Sequence, residues 1–146
     1  MLYTQDRDQL RRFFCQSWQK RLQNQPLEAL EQMLCQVIEQ HPEYHTLIEN
    51  EEKALGREYL PDDGETNPFM HLSMHLAMQE QLSINHPKGI IELYQQMVSQ
   101  IGDRHQAEHQ IMECMGEMMW RAQQTRSEPD PKFYLNCLQK QLKSKK

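Results

Sequence analysis

Six of the seven histidines in this 146-residue chain fall into pairs whose members are four residues apart. The pairs are His41 and His45, His71 and His75, and His105 and His109. On an α-helix, this spacing places both rings of a pair on the same face. Imidazole is the commonest metal-binding side chain, so the pattern predicts a metal site ahead of other chemistry.

The elements that position these rings are predicted to be helices. Apolar residues recur with a helical period along most of the chain, and no long segment alternates as a half-buried strand does. We therefore predict an all-α fold, a single-domain bundle of about six helices over residues 1–146. An acidic loop is predicted over 56–67, and a flexible basic tail from about residue 143.

Prolines and small polar residues mark the predicted helix ends. Pro26 fits the first turn of the second helix, and Asn67 and Asp103 are placed to cap two later helices. Gly102 ends the helix that precedes Asp103, and Asp130 starts the last one. These signals place two of the histidine pairs in the first turns of long helices.

The helix predicted after Asn67 carries His71 and His75 in the middle of its apolar arc, with Glu80 on the opposite, exposed side. Histidines that face a core must satisfy two ring nitrogens each, because unpaired buried polar atoms are costly. This pair is therefore predicted to bind a metal or to make buried hydrogen bonds.

The helix predicted after Asp103 carries Glu108 in its apolar arc, with His105 and His109 on the flank of that arc. A short intervening helix would return the chain, so that the two histidine-bearing helices run parallel with their pairs at similar levels. We predict a metal site formed by His71, His75, His105 and His109, with Glu108 as a ligand or as a partner of the ligands.

Four histidines and one carboxylate match the ligands that proteins offer to zinc, iron or manganese. Two alternatives stay open. In the first, the same residues form a buried hydrogen-bond network in a non-enzymatic interaction protein. In the second, the segment HQAEH (105–109) matches the H-x-x-E-H pattern of metal-dependent hydrolases, with Glu108 as general base. The sequence does not decide whether the protein is an enzyme.

Four further residues are left open as members of the site. His41 and His45 lie on either side of Pro42, so their rings need not share a face. Glu49 follows His45 by four residues, and Glu113 follows His109 by four. The sequence does not identify the metal, a protein partner or the oligomeric state.

Charge and composition disfavour several other functions. A net charge of −5 gives no general attraction for nucleic acid or anionic membranes. The chain shows no signal peptide and no apolar stretch that could span a bilayer, which predicts a cytoplasmic location. The four cysteines are far apart in the sequence and lie within helical patterns, so we predict reduced, buried thiols.

The segments NPFMHLSMHLAMQEQLS (67–83) and DRHQAEHQIMECMGEMMW (103–120) resemble a family of small bacterial proteins known only as a domain of unknown function. HPEYH (41–45) and PDPKFYLNCL (129–138) fit the same family. The resemblance implies a small, cytoplasmic, largely helical bacterial protein and brings no established activity. A second likeness is to haemerythrin-type metal-binding bundles, whose H-x-x-x-E and H-x-x-x-H elements are similar to His45/Glu49 and His71/His75. Their H-x-x-x-x-D element is not started by His105 or His109.

Overall fold

The structure is a computed structural model that describes residues 2–59 and 67–144. In chain order it comprises α1 (Leu2–Leu22), α2 (Ala29–Glu39), a 3-10 helix (Pro42–Tyr44), α3 (His45–Ile48), α4 (Glu51–Gly56), α5 (Pro68–Ile84), α6 (Ile90–Ile101), α7 (Arg104–Thr125) and α8 (Pro131–Ser144). No strand occurs among these residues, so the all-α prediction is confirmed. Six of the helices have 11 to 22 residues, as the sequence predicts.

The chain divides into two compact units, Met1–Leu76 and Ala77–Lys146. α5 begins in the first unit and ends in the second. In the first unit, α1 packs against α2, α3 and α4; in the second, α6, α7 and α8 pack against one another. The expectation of a single domain stays a prediction.

The core of the first unit is built from the apolar stripes of α1 and α2. Phe14 and Trp18 from α1 pack with Leu34 and Ile38 from α2 and with Phe69 from the start of α5. The spacing of four residues within each stripe keeps these side chains on one helix face. This core fixes the end of α2 and the start of α5, which both carry candidate ligands.

A buried arginine connects α1 with α4. Arg11 is only 2% exposed, and its Nη1 donates hydrogen bonds to the backbone oxygens of Ala54, at 2.8 Å, and Arg57, at 2.6 Å. Its guanidinium also lies 4.7 Å from the centre of the Phe69 ring. Burial lowers the pKa of Arg11 from its usual value. The side chain therefore satisfies carbonyls at the end of α4 while it packs against the apolar core.

The second unit has its own apolar core. Ile111 and Met115 from α7, Met97 from α6 and Leu138 from α8 are buried together with Tyr134. The Tyr134 hydroxyl donates to Gln81 Oε1 at 2.9 Å, and burial raises the pKa of this phenol. Tyrosine can be buried here because its polar end has a partner.

Most of the predicted helix ends are confirmed. Asn67 Oδ1 accepts hydrogen bonds from the backbone N–H groups of Phe69 and Met70, and Asp130 Oδ1 accepts one from Lys132. Gly102 ends α6 with a φ of 82°, a conformation that glycine adopts without strain.

The prediction for Pro26 is wrong. α2 begins at Ala29, and the residue before the helix is Glu28, whose backbone N–H donates to Glu31 Oε1 at 2.9 Å. Glu28 and Glu31 form a capping box, in which each side chain accepts from the backbone N–H of the other residue. This capping box defines the start of α2, and Pro26 lies before the helix.

The Asp103 cap allows a first test of the fold. Its Oδ1 accepts from the backbone N–H groups of His105 at 2.9 Å and Gln106 at 3.3 Å. Replacement of Asp103 by alanine is expected to lower the free energy of unfolding by about 1 kcal/mol, since these two N–H groups lose their acceptor. Denaturant unfolding measures the change, and Asp103→Asn, which keeps a capping oxygen, is the control. An equal loss in both variants would contradict the capping role.

The cysteines are predicted only in part. Cys15 and Cys35 are free and buried, and burial raises the pKa of each thiol to about 11, so both are poor nucleophiles. Cys114 and Cys137, in contrast, form a disulfide that joins α7 to α8. The prediction of reduced thiols is wrong for this pair, because helix packing brings their Cα atoms to 5.8 Å.

The predicted loop and tail lie partly within helices. Gly56 ends α4, and residues 60–66 of the predicted acidic loop lie outside the described residues. α8 continues through Lys143 to Ser144, and residues 145 and 146 lie outside the described residues.

Candidate metal centre

The histidine pair on α5 is arranged as the sequence predicts. Asn67 and Pro68 start the helix, so that His71 and His75 project from the same face in its first two turns. The Nε2 atoms of the two rings are 3.1 Å apart. His75 is 1% exposed, whereas His71 is half-buried.

His41 supplies a third ring to this place. It follows α2 directly, and Pro42 prevents the helix from continuing, so the chain turns away from α2 beyond this residue. The ring of His41 is 1% exposed, and its centroid lies 5.1 Å from that of His71 and 4.6 Å from that of His75. Three histidines from two segments of the first unit therefore pack against one another.

The tautomer of His41 follows from a backbone contact. Its Nδ1 lies 2.7 Å from the carbonyl oxygen of Val37. A carbonyl oxygen can only accept, so Nδ1 carries the proton and donates it. In the neutral ring the lone pair is then on Nε2, which is the form in which histidine binds metals.

Tyr44 contacts both His41 and His71. Its aromatic ring stacks on His41 with an interplanar angle of 8°, and its hydroxyl lies 3.2 Å from Nδ1 of His71. Burial raises the pKa of Tyr44, with a smaller contribution from Glu43, so the group stays a neutral phenol. A phenol can donate to this nitrogen or accept from it, and the tautomer of His71 decides which.

These three histidines form one group within the first unit. His41, His71 and His75 each offer one ring nitrogen, and these three atoms lie within 4.8 Å of one another. We call these three residues the histidine cluster. Two of its members are buried and one is half-buried, and the cluster could hold a metal ion.

His45, the partner of His41 in the sequence, has a different environment. Its Nε2 donates to the carbonyl oxygen of Ile38 at 2.7 Å, and its ring packs 4.8 Å from the indole of Trp18. His41 and His45 thus both donate to carbonyl oxygens near the end of α2, which also accept from the backbone N–H groups of Gln40 and His41. Only His41 is a member of the histidine cluster.

The remaining predicted ligands lie on α7. Glu108 is 5% exposed, which agrees with its position in the apolar arc, and it accepts a hydrogen bond from Gln79 Nε2 at 3.2 Å. His105 is exposed, and its ring contacts that of His109 edge to face, with centroids 4.2 Å apart. His105, Glu108 and His109 all lie in the second unit. Their roles as ligands, and that of Glu108 as general base, stay predictions.

The sequence did contain a signal for His41. Leu34 and Ile38 are buried residues of α2, and His41 continues their stripe at helical spacing. Pro42 obscures this signal, because it suggests that the next residues leave the helix face. Glu49 and Glu113, the two carboxylates left open, are exposed.

The comparisons with known proteins identify the family and bring no activity. No helix in the described ranges is long and apolar enough to cross a membrane. No curated protein and no solved structure matches the chain. Residues 6–140 match a family described as a domain of unknown function, DUF1841. The match covers almost the whole chain, and the protein therefore belongs to the DUF1841 family.

Proposed function

We propose that this protein binds a divalent transition metal, such as zinc, iron or manganese, through His41, His71 and His75. The observation that carries the proposal is the convergence of three ring nitrogens within 4.8 Å in a partly buried place of the first unit. Histidines that serve separate structural roles have no reason to bring their ring nitrogens together. A cluster of imidazoles is the ligand set that divalent transition metals prefer.

The separation of the nitrogens supports this assignment. Two nitrogens bound tetrahedrally to zinc at about 2.0–2.1 Å are about 3.3 Å from each other. The Nε2 atoms of His71 and His75 are 3.1 Å apart, close to that value. The upper limit of 4.8 Å for the whole cluster is wider, so the binding of an ion requires side-chain movements of about 1 Å.

The hydrogen bonds around the rings also suit metal ligands. Metal-binding histidines usually donate their second ring N–H to a carbonyl or another oxygen, which fixes the tautomer and orients the ring. His41 does so to Val37, and the Tyr44 hydroxyl is placed to accept from Nδ1 of His71. These two contacts would direct the Nε2 lone pairs of both rings toward a shared ion.

Direct metal analysis tests the proposal. The protein, prepared without a histidine tag and stripped by a chelator, is dialysed against Zn²⁺, Fe²⁺ or Mn²⁺ and analysed for metal content. We expect about one ion per chain for at least one of the metals. NMR of the imidazole nitrogens should then show His71 protonated on Nδ1. If no metal is taken up at micromolar concentration, the proposal is wrong.

A hydrogen-bond network is the second candidate, and one contact favours it. At 3.1 Å the Nε2 atoms of His71 and His75 can share a proton, with one ring as donor and the other as acceptor. If His71 is the donor, its Nδ1 carries no proton and Tyr44 donates to that atom; if His75 is the donor, Nδ1 of His71 keeps its proton, as it does in the metal centre. A proton on Nε2 of His71 in the metal-free protein would therefore favour the network, and the metal content decides between the two candidates.

The Tyr44 hydroxyl provides a sharper test of the metal proposal. Tyr44→Phe is expected to weaken metal binding by about 10- to 100-fold, because His71 loses the oxygen that holds its ring and tautomer. Competition with a chromophoric chelator measures the affinity. Tyr94→Phe is the matched control, since it removes a hydroxyl that accepts from Arg104 in the second unit. Equal affinities for Tyr44→Phe and the wild type would contradict the role of Tyr44.

A further inference from the structure

The four cysteines of the chain differ in their accessibility to solvent. Cys15, Cys35 and Cys114 are 2%, 0% and 1% exposed, whereas Cys137 is half-buried. Thiol–disulfide exchange begins with the attack of a thiolate on a disulfide sulfur that it can reach. In the disulfide between α7 and α8, only Cys137 is a residue that solvent reaches. A thiolate in solution therefore meets this disulfide at Cys137.

Contacts other than the disulfide also hold α8 in its place. Tyr134 and Leu138, three residues before Cys137 and one after it, are 1% and 0% exposed. Gln100 Nε2 on α6 donates to the carbonyl oxygen of Leu142 at 3.0 Å. Burial of the two apolar side chains favours the packed position of α8 in both redox states. We therefore expect the two thiols to stay next to each other when the bond is reduced.

The other two thiols do not compete with this pair. Burial raises the pKa of Cys15 and of Cys35 to about 11, so both stay protonated near neutral pH. Both are free, so neither has a cysteine partner. Thiol–disulfide chemistry is therefore concentrated at Cys114 and Cys137. Partial burial of Cys137 favours a small attacking compound, because a large partner needs a sulfur that projects from the surface.

We propose that Cys137 is a redox modification site at which a low-molecular-weight disulfide, such as that of glutathione, oxidises the reduced pair, with Cys114 as the resolving thiol. The Cys137 thiolate attacks one sulfur of the small disulfide, whose S–S bond breaks, and one small thiolate leaves. Cys114 then attacks Cys137 Sγ in the mixed disulfide, and the second small thiolate leaves. The two protein thiols lose two electrons and two protons, which the small disulfide gains as it becomes two thiols.

Mass spectrometry of two cysteine variants tests these roles. The full chain is reduced, freed of reductant, treated with glutathione disulfide, quenched with acid, and analysed intact and after proteolysis. Cys114→Ala should retain one glutathione, on Cys137, because the resolving thiol is missing. Cys137→Ser should gain an adduct at least about tenfold more slowly, since Cys114 is 1% exposed. The wild type should convert both thiols into the disulfide and keep no adduct.

Three results would overturn this inference. If the reduced wild type keeps its thiols in excess glutathione disulfide, the pair is not a redox site. If Cys114→Ala and Cys137→Ser gain adducts at equal rates, the assigned roles are wrong. If Cys15 or Cys35 is modified as fast as Cys137, burial does not direct the reaction. Metal binding plays no part in these results, because both paired cysteines lie in the second unit and the histidine cluster lies in the first.

The wild type provides a test that needs no substitution. Acid quenching at early times during its reoxidation by glutathione disulfide should trap the mixed disulfide, and peptide mapping should locate the glutathione on Cys137. A mixed disulfide on Cys114 would reverse the roles of the two residues and overturn the inference. Circular dichroism shows whether the two variants keep their helices, and the trapped intermediate of the wild type decides the inference even if one of them does not fold.

Discussion

Replacement of His75 by alanine is expected to abolish stoichiometric metal binding. His75 is 1% exposed, its Nε2 lies 3.1 Å from that of His71, and its ring lies 4.6 Å from that of His41. Removal of the ring leaves the ion with fewer donors and opens a cavity among the others. Loss of a residue that only hydrogen-bonds to a metal ligand lowers the metal affinity by up to about 100-fold. We therefore expect loss of the ligand His75 itself to lower the metal affinity further.

Metal content after dialysis and competition with a chelator measure the effect. His86→Gln is the matched control, because it removes an exposed imidazole outside the cluster. Circular dichroism shows whether the His75→Ala chain keeps its helices. Metal content equal to that of the wild type in a folded His75→Ala protein would contradict the proposed metal centre.

The ligands predicted on α7 can be tested by the same measurement. His105 is exposed and His109 is half-buried, and both lie in the second unit. If the ligand set predicted from the sequence is right, His105→Gln and His109→Gln should each lower the metal content. Unchanged metal content in both variants would contradict that ligand set.

The fold could be predicted well from local signals. Helical periodicity depends on which residues face the core, and the stripe residues Phe14, Trp18, Leu34 and Ile38 are indeed buried. Asn67 and Asp103 act through their own side chains, so the sequence alone identifies them as caps. The helix start predicted at Pro26 is wrong because the first turn of a helix tolerates proline but does not require it.

The candidate site could be predicted only in part. Spacing along a helix shows which residues share one face, but it does not show which other elements pack against that face. His71 and His75 were identified from their position in the apolar arc of α5. His41 was left open, because its place depends on how the chain turns at Pro42, which is a tertiary property. The disulfide was missed for a similar reason, since 23 residues separate its two cysteines.

Loss of that disulfide is expected to have the second large effect. The bond between Cys114 and Cys137 closes a loop with a sequence separation of 23 between α7 and α8. A cross-link of this loop length reduces the conformational entropy of the unfolded chain and contributes about 3 kcal/mol to stability. Cys137→Ser should lower the free energy of unfolding by about this amount, since the half-buried serine itself costs little.

Denaturant unfolding with and without a reductant measures this contribution and provides its control. The reductant should destabilise the wild type to the level of Cys137→Ser and should leave the variant unchanged, because the free thiols of Cys15 and Cys35 are buried. Destabilisation by the reductant alone would mean that the serine substitution is compensated elsewhere. If neither treatment changes the unfolding midpoint, the two thiols do not form a stabilising bond in solution, and the reduced state predicted from the sequence holds for all four cysteines.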